Sequence, residues 1–336
     1  MLSCGGGKKA ESPASAEVQS VVDEVYVPTT PDGKPAVQCC IDTMDIKNPY
    51  IYYDKPTDSY YMTGDGGHIW VSKGLKVWEG PYVALAQDAA SWVGASPVVT
   101  APEIHKYNNR YYYMASFARE GLFVEGTDGQ PFVRQSCTTL VADNITGPYK
   151  TVDSNANLLD EREMASHPTF CTDELGVGYM IYDHLAKQNG DGTVQIVRLT
   201  EDLGRRMGEA YVMFTASQNS WSKNVKGTFS QEMEAPYLFL TDTGCMGILF
   251  TTMMGTESAV GVAYSSTGTL NGPWEIESEP LLKGVASSSI FKDYDGTPLM
   301  VVQKDTIIGG KDISVPRLLK LETQFDKLQI KGYYKF

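Results

Sequence analysis

One pattern recurs along the chain and limits what it can fold into: an X-Pro step, a short apolar run, a polar turn, and a second apolar or Tyr-rich run. It occurs at Asn48-Pro49-Tyr50-Ile51 with Tyr60-Tyr61-Met62, and at Ala101-Pro102-Glu103-Ile104 with Tyr111-Tyr112-Tyr113-Met114. Further copies are His167-Pro168-Thr169-Phe170 with Gly178-Tyr179-Met180, and Ala235-Pro236-Tyr237-Leu238 with Gly247-Ile248-Leu249. A fifth copy lacks the proline and runs Ser288-Ser289-Ile290-Phe291 with Pro298-Leu299-Met300. The prolines at 49, 102, 168 and 236 are 53, 66 and 68 residues apart, room for four short strands with their loops.

Each copy is followed by another strand and a turn. Three of these turns close on Gly-Pro-aromatic: Gly80-Pro81-Tyr82, Gly147-Pro148-Tyr149 and Gly272-Pro273-Trp274. Apolar residues alternate or cluster in short blocks between Gly, Pro and Asp, and no 3.6-residue stripe persists, so the elements read as strands. Five matched copies of a four-strand unit predict an all-β fold, a single five-bladed β-propeller over residues 26–336 with blades beginning near 48, 101, 167, 235 and 288. The blades share one axis, so 336 residues make one folded domain here.

The charge balance, 41 acidic against 28 basic residues for a net charge of -13, excludes a nucleic-acid binder, which needs a basic surface to displace phosphate counterions. It also disfavours an anionic membrane or a polyuronate and suits a neutral polymer. The 20 Tyr, 11 Phe and 5 Trp serve as strand-forming core residues or, near a cleft mouth, as surfaces on which sugars stack. Six cysteines form neither a C-x-x-C pair nor a Cys/His cluster, which speaks against zinc.

Leu2-Ser3-Cys4-Gly5 resembles the end of a bacterial lipoprotein signal, with Cys4 as the lipid-bearing residue, although the charged and apolar regions that precede such a cysteine are not in the sequence. Residues 1–25 are therefore expected to be a lipoprotein-like N-terminus and flexible tether, and the protein to be secreted or held at the cell envelope. No apolar run approaches the length that spans a bilayer.

In a propeller the inner strands begin near the axis, so the X-Pro steps of different blades converge on one cleft. Five segments then carry a family resemblance. They are Asn48-Pro49-Tyr50-Ile51-Tyr52-Tyr53, Ser72-Lys73-Gly74-Leu75-Lys76-Val77-Trp78, Ala101-Pro102-Glu103-Ile104-His105, Asn144-Ile145-Thr146-Gly147-Pro148-Tyr149 and Glu234-Ala235-Pro236-Tyr237-Leu238. In this order they resemble family 43 of the glycoside hydrolases, from about Asp42 to the C-terminus. The resemblance implies a five-bladed propeller that cleaves arabinose- or xylose-containing glycans with inversion. Such an enzyme needs a carboxylate base for water, a carboxylic acid for the leaving oxygen, and a further carboxylate that tunes the acid.

Carried over residue by residue, the acid is Glu234. The base position holds Asn48 and the modulating position His167. An amide cannot take a proton from water at neutral pH. His167 is then either a base, a partner to the charge of Glu234, or a hydrogen-bonded wall residue. Glu103 either binds sugar hydroxyls or accepts backbone hydrogen bonds, and Tyr50, Tyr237 and His184 are candidate substrate-binding residues. Asp45 is a possible displaced base, but its odd offset from Asn48 turns it to the opposite strand face. His68 and His105 are expected at turns or strand surfaces. The family's blade-five histidine, which holds an ion or water cluster, has no counterpart in Val285-Ala286-Ser287-Ser288-Ser289, so neither a metal nor a cofactor is expected.

Two functions follow: an O-glycosyl hydrolase acting on plant polysaccharide, or a catalytically impaired propeller that binds oligo- or polysaccharide. A monomer is expected in either case.

Overall fold

The structure, a computed structural model, describes residues 27–86, 92–94, 96–152, 163–222 and 231–336. Cys4 and the tether of residues 1–25 lie outside the described residues. Five antiparallel sheets form the five blades. Their inner strands are Tyr50–Asp54, Val98–Tyr107, Ala165–Thr172, Glu234–Leu240 and Ala286–Lys292. Blade 1 carries an additional outer strand, Val37–Cys40, paired with Val77–Val83. All three Gly-Pro-aromatic signatures adopt cis peptides, and each lies in or just before the outer part of its blade.

The apolar runs are nearly unbroken because both faces of each blade are buried. Successive strand residues point to opposite faces, so Ile248 and Phe250 face blade 3 while Leu249 between them faces blade 5. Met300 and Val302 face blade 4, and Val301 faces blade 1. Among the described residues the apolar interior accordingly forms five clusters, one at every blade interface, including the interface between blades 5 and 1. That last contact packs Ile51, Met62 and Trp78 against Phe291, Leu299, Val301 and Leu318. Burial of one such side chain contributes about 1.5–3 kcal/mol, so ring closure is driven by the same kind of packing as the other interfaces.

Near the axis each blade repeats one backbone device. Asn48, Ala101, His167, Ala235 and Ser287 all have left-handed φ, between 40° and 51°. In blades 2 to 5 the inner-strand register shifts at this point. The turn-out frees each residue's N–H to bond a side chain of the preceding blade. Ala101 donates to Asp65 Oδ1 (2.9 Å), His167 to Ser116 Oγ (2.8 Å), Ala235 to Asp183 Oδ1 (3.0 Å) and Ser287 to Thr251 Oγ1 (2.9 Å). Asn48 completes the circle by donating to Gln303 Oε1 of blade 5 at 2.9 Å. In blade 5 the device sits at Ser287, one residue before the sequence copy beginning at Ser288, because no proline marks the step there.

Removing one acceptor from this ring leaves a half-buried N–H without its protein partner, at a cost of about 1–3 kcal/mol. Thr251→Val keeps the side-chain shape and deletes Oγ1. It is expected to lower the unfolding free energy by that amount, read as a fall in urea midpoint with unchanged slope.

Candidate active site

The axial ring floors a cavity of about 800 Å³, within the range of small-molecule sites. Asn48, His167, Glu234 and Ser287 lie at its base. The paired strands Met246–Met254 and Glu257–Ser265 of blade 4, and Pro298–Ile308 and Lys311–Gln324 of blade 5, form its walls through Met253, Ser258, Asp305, Ile307 and Ile313. Beneath it runs a narrow axial channel of about 30 Å³.

Glu234 is the first residue of the blade-4 inner strand, immediately before the left-handed Ala235. Burial pushes its carboxyl up. The nearby His167 cation pulls it down and the charges of Asp183 and Glu232 push it up again, so that it titrates at about 7. A carboxyl group that keeps its proton near neutrality suits a general acid.

His167 is fixed by its blade's second strand. Its Nδ1–H donates to Asp183 Oδ1 at 2.7 Å, and Asp183 is fully buried. Burial disfavours the imidazolium. The charge of Asp183, the hydrogen bond to it, and the charges of Glu234 and Asp65 outweigh that and lift the ring to about 9. At neutral pH both ring nitrogens therefore carry protons, and no lone pair remains to accept one from water. This favours a cation set against Glu234 over the base role considered for His167.

Asn48 is held on three sides. Its Nδ2 donates to Asp65 Oδ1 at 2.9 Å, its Oδ1 accepts from the Ser287 hydroxyl, and its N–H bonds Gln303. Asp65, an acceptor when ionised, fixes which way the amide faces. The segment before Asn48 can cross the second strand of blade 1 this closely because residue 64 is glycine. A Cβ there would lie 2.3 Å from Ile46 Cγ2 and 2.7 Å from the Lys47 carbonyl oxygen.

The other sequence candidates are dispersed. Tyr50, Glu103 and Tyr237 line the axial channel beneath the cleft. The tyrosine hydroxyls donate to the carbonyls of Ile104 and Ile290, and Glu103 is engaged by His105 Nε2 (2.7 Å) and Thr169 Oγ1 (2.8 Å). These bonds tie all three into the packing around the axis, in a channel that shares Asn48, His167, Ala235 and Ser287 with the cleft above. His105 packs between Tyr50 and Phe170 instead of lying on a strand surface. His184 bonds Gln188 (2.7 Å) and Gln195 (3.2 Å) and does not border the cavity. Asp45 does border it: the residue precedes the inner strand, where strand alternation does not apply. Among the described residues, no three His, Cys, Asp or Glu side chains are grouped to hold a metal ion.

Sequence reasoning missed the ring acceptors Asp65, Ser116, Asp183, Thr251 and Gln303, as well as Ser287. A signal was present: each acceptor follows its blade's left-handed residue by 15 to 17 positions. Asp65 and Asp183 each receive two bonds on Oδ1, one from the X residue of their own blade and one from the backbone of the next.

Asn48→Asp would replace the donor to Asp65 by a second carboxylate. Like charges at this distance raise the pair's affinity for a shared proton. The variant is expected to lose about 1–3 kcal/mol of stability at pH 7 and to recover it as the pH falls and the pair takes up that proton. Urea midpoints at pH 7 and 5 measure this.

The model for glycosyl hydrolases family 43 matches residues 41–303. Among curated proteins no match is found. Solved structures with the same architecture include an endo-arabinase from Bacteroides thetaiotaomicron, with a TM-score of 0.72, 22% identity, and coverage of 90% of this chain and 100% of that one. An endo-1,4-beta-xylanase from the same organism gives 0.66 at 18% identity, covering 86% and 95%. An alpha-L-arabinanase from Cellvibrio cellulosa complexed with arabinohexaose gives 0.60 at 14% identity, covering 86% and 96%. With the family model spanning most of the propeller, over the blades that supply Asn48, His167 and Glu234, the chain belongs to glycosyl hydrolase family 43.

Proposed function

We infer that this protein hydrolyses O-glycosidic bonds in arabinose- or xylose-containing plant polysaccharide with inversion at the anomeric carbon, Glu234 acting as general acid. The observation that carries this is the half-buried carboxyl of Glu234 facing a cavity of about 800 Å³ and titrating at about 7. Family membership and the named arabinanase and xylanase neighbours support the substrate class. His167, a cation beside the acid, stabilises the carboxylate that Glu234 becomes after it has given its proton to the leaving oxygen. A catalytically impaired binding propeller is the second reading, favoured by the amide of Asn48 tied on three sides where the family's base stands. Lipid attachment at Cys4 would hold the propeller at the cell envelope. Mass spectrometry of the mature protein from its native source is expected to find an acylated Cys4 at its N-terminus.

Turnover of aryl arabinofuranoside, aryl xyloside and polymeric arabinoxylan by the purified protein tests the hydrolase reading. Glu234→Gln is expected to lower kcat on the polymer about 10²–10⁴-fold; equal rates for the two proteins would sink it, and oligosaccharide binding without turnover would establish the second reading. Because the acid must be protonated, kcat is expected to fall as pH rises through about 7. His167→Gln removes the cation that lowers Glu234, so this alkaline limb moves to higher pH in that variant.

A further inference from the structure

The hydrolase reading lacks a base, since Asn48 is an amide and His167 is protonated. Blade 5 holds a carboxylate linked to the vacated position through one side chain. Gln303 accepts the Asn48 N–H on Oε1 (2.9 Å) and donates from Nε2 to Asp305 Oδ1 (2.9 Å). Asp305 and Gln303 lie two apart in the strand Pro298–Ile308, on one face, so Asp305 stands about 7 Å further along the strand. The cross-strand partner Ser314 donates its hydroxyl to the same Oδ1 at 2.7 Å. Both bonds fall on one oxygen of Asp305, and the residue lines the cavity that also contains Glu234.

We propose that Asp305 is the general base, acting in place of a residue at position 48. Resting on the hydrolase reading, the step runs as follows. Water oxygen bonds the anomeric carbon while the bond from that carbon to the leaving oxygen breaks. Asp305 takes a proton from the water and Glu234 gives its own to the leaving oxygen. Exchange with solvent then returns a proton to Glu234 and removes one from Asp305. Inverting hydrolysis needs the two carboxyl groups far enough apart to admit a water, about 6.5–9.5 Å; Asp305 and Glu234 come from adjacent blades and border one cavity. The competing carboxylates are less suited. Glu232 lies two residues from the acid on the same chain segment, Asp312 lies beside the Gly309-Gly310 turn that closes the hairpin, and Asp45 is anchored on the Ser314 backbone N–H (2.9 Å), whereas Asp305 is tied through Gln303 to position 48.

The test uses the full chain on aryl arabinofuranoside and aryl xyloside, with and without sodium azide, an anion that attacks carbon without needing a base. Asp305→Ala is expected to lower kcat/KM about 10²–10⁴-fold. Azide should restore turnover and leave a glycosyl azide inverted at the anomeric carbon. Asp305→Asn, which keeps an acceptor for Gln303 and Ser314, guards against loss of fold; it should retain the wild-type urea midpoint, lose activity, and lose the acidic limb of the pH profile. If wild type turns over and Asp305→Ala stays within about fivefold of it, or if azide rescues Asp45→Ala instead, the assignment of the base falls while the hydrolase reading stands. If wild type turns over neither aryl glycoside nor polymeric arabinoxylan, both fall.

Discussion

Five backbone N–H groups around the axis, each bonded to a side chain of the preceding blade, are the constraint on which the rest of the structure depends. The bonds require left-handed φ at Asn48, Ala101, His167, Ala235 and Ser287, a conformation costly for residues with a Cβ. That cost is met five times because each turn-out frees one N–H for the neighbouring blade and swings the following strand outward. The ring closes through Gln303 and Asn48, the same interface that packs Trp78 against Phe291 and Leu318. Hydrophobic burial between blades supplies the bulk of the stability; the polar ring sets their spacing and register at the axis.

The same geometry creates the site. A residue that turns out of its strand next to the axis points its side chain into the space above the ring, so the X position of each blade is where chemistry can be placed. Here blades 1, 3 and 4 contribute an amide, an imidazolium and, one residue before Ala235, a carboxyl group. Asp65 and Asp183 act alike beneath the first two: each binds the X side chain of its own blade and the backbone of the next. A carboxylate ring acceptor therefore fixes the orientation of what lies above it, and beneath a titratable group it also biases the protonation. Asp183 keeps His167 charged, and that charge in turn restrains the rise of Glu234.

Asn48 and His167, standing where the family resemblance implies carboxylates, alter the charge balance of the floor. A cleft with three anions at its base would hold its acid protonated through mutual repulsion. In this one, burial does most of that work and the histidine cation opposes it. Acidic groups instead stand on the wall, where Asp305 is braced by Gln303 and Ser314.

The sequence by itself determined the architecture, because a repeat of X-Pro, apolar run and turn states both the strand period and the number of blades, and buried sheets demand apolar residues at every inner position. It also located Glu234 and the departures at Asn48 and His167, since these adjoin prolines that mark the register. Only the tertiary structure decided which side chains meet across blades. Asp65, Asp183 and Gln303 look like ordinary strand-end residues until the ring brings each to the next blade's backbone, and Tyr50, Glu103 and Tyr237 sit near the same prolines yet face the channel below the cleft. The fifth blade shows the reason most plainly. Without a proline at Ser288 the step at Ser287 leaves no local mark, and its position is set by the hydrogen bond to Thr251, 36 residues away in the chain.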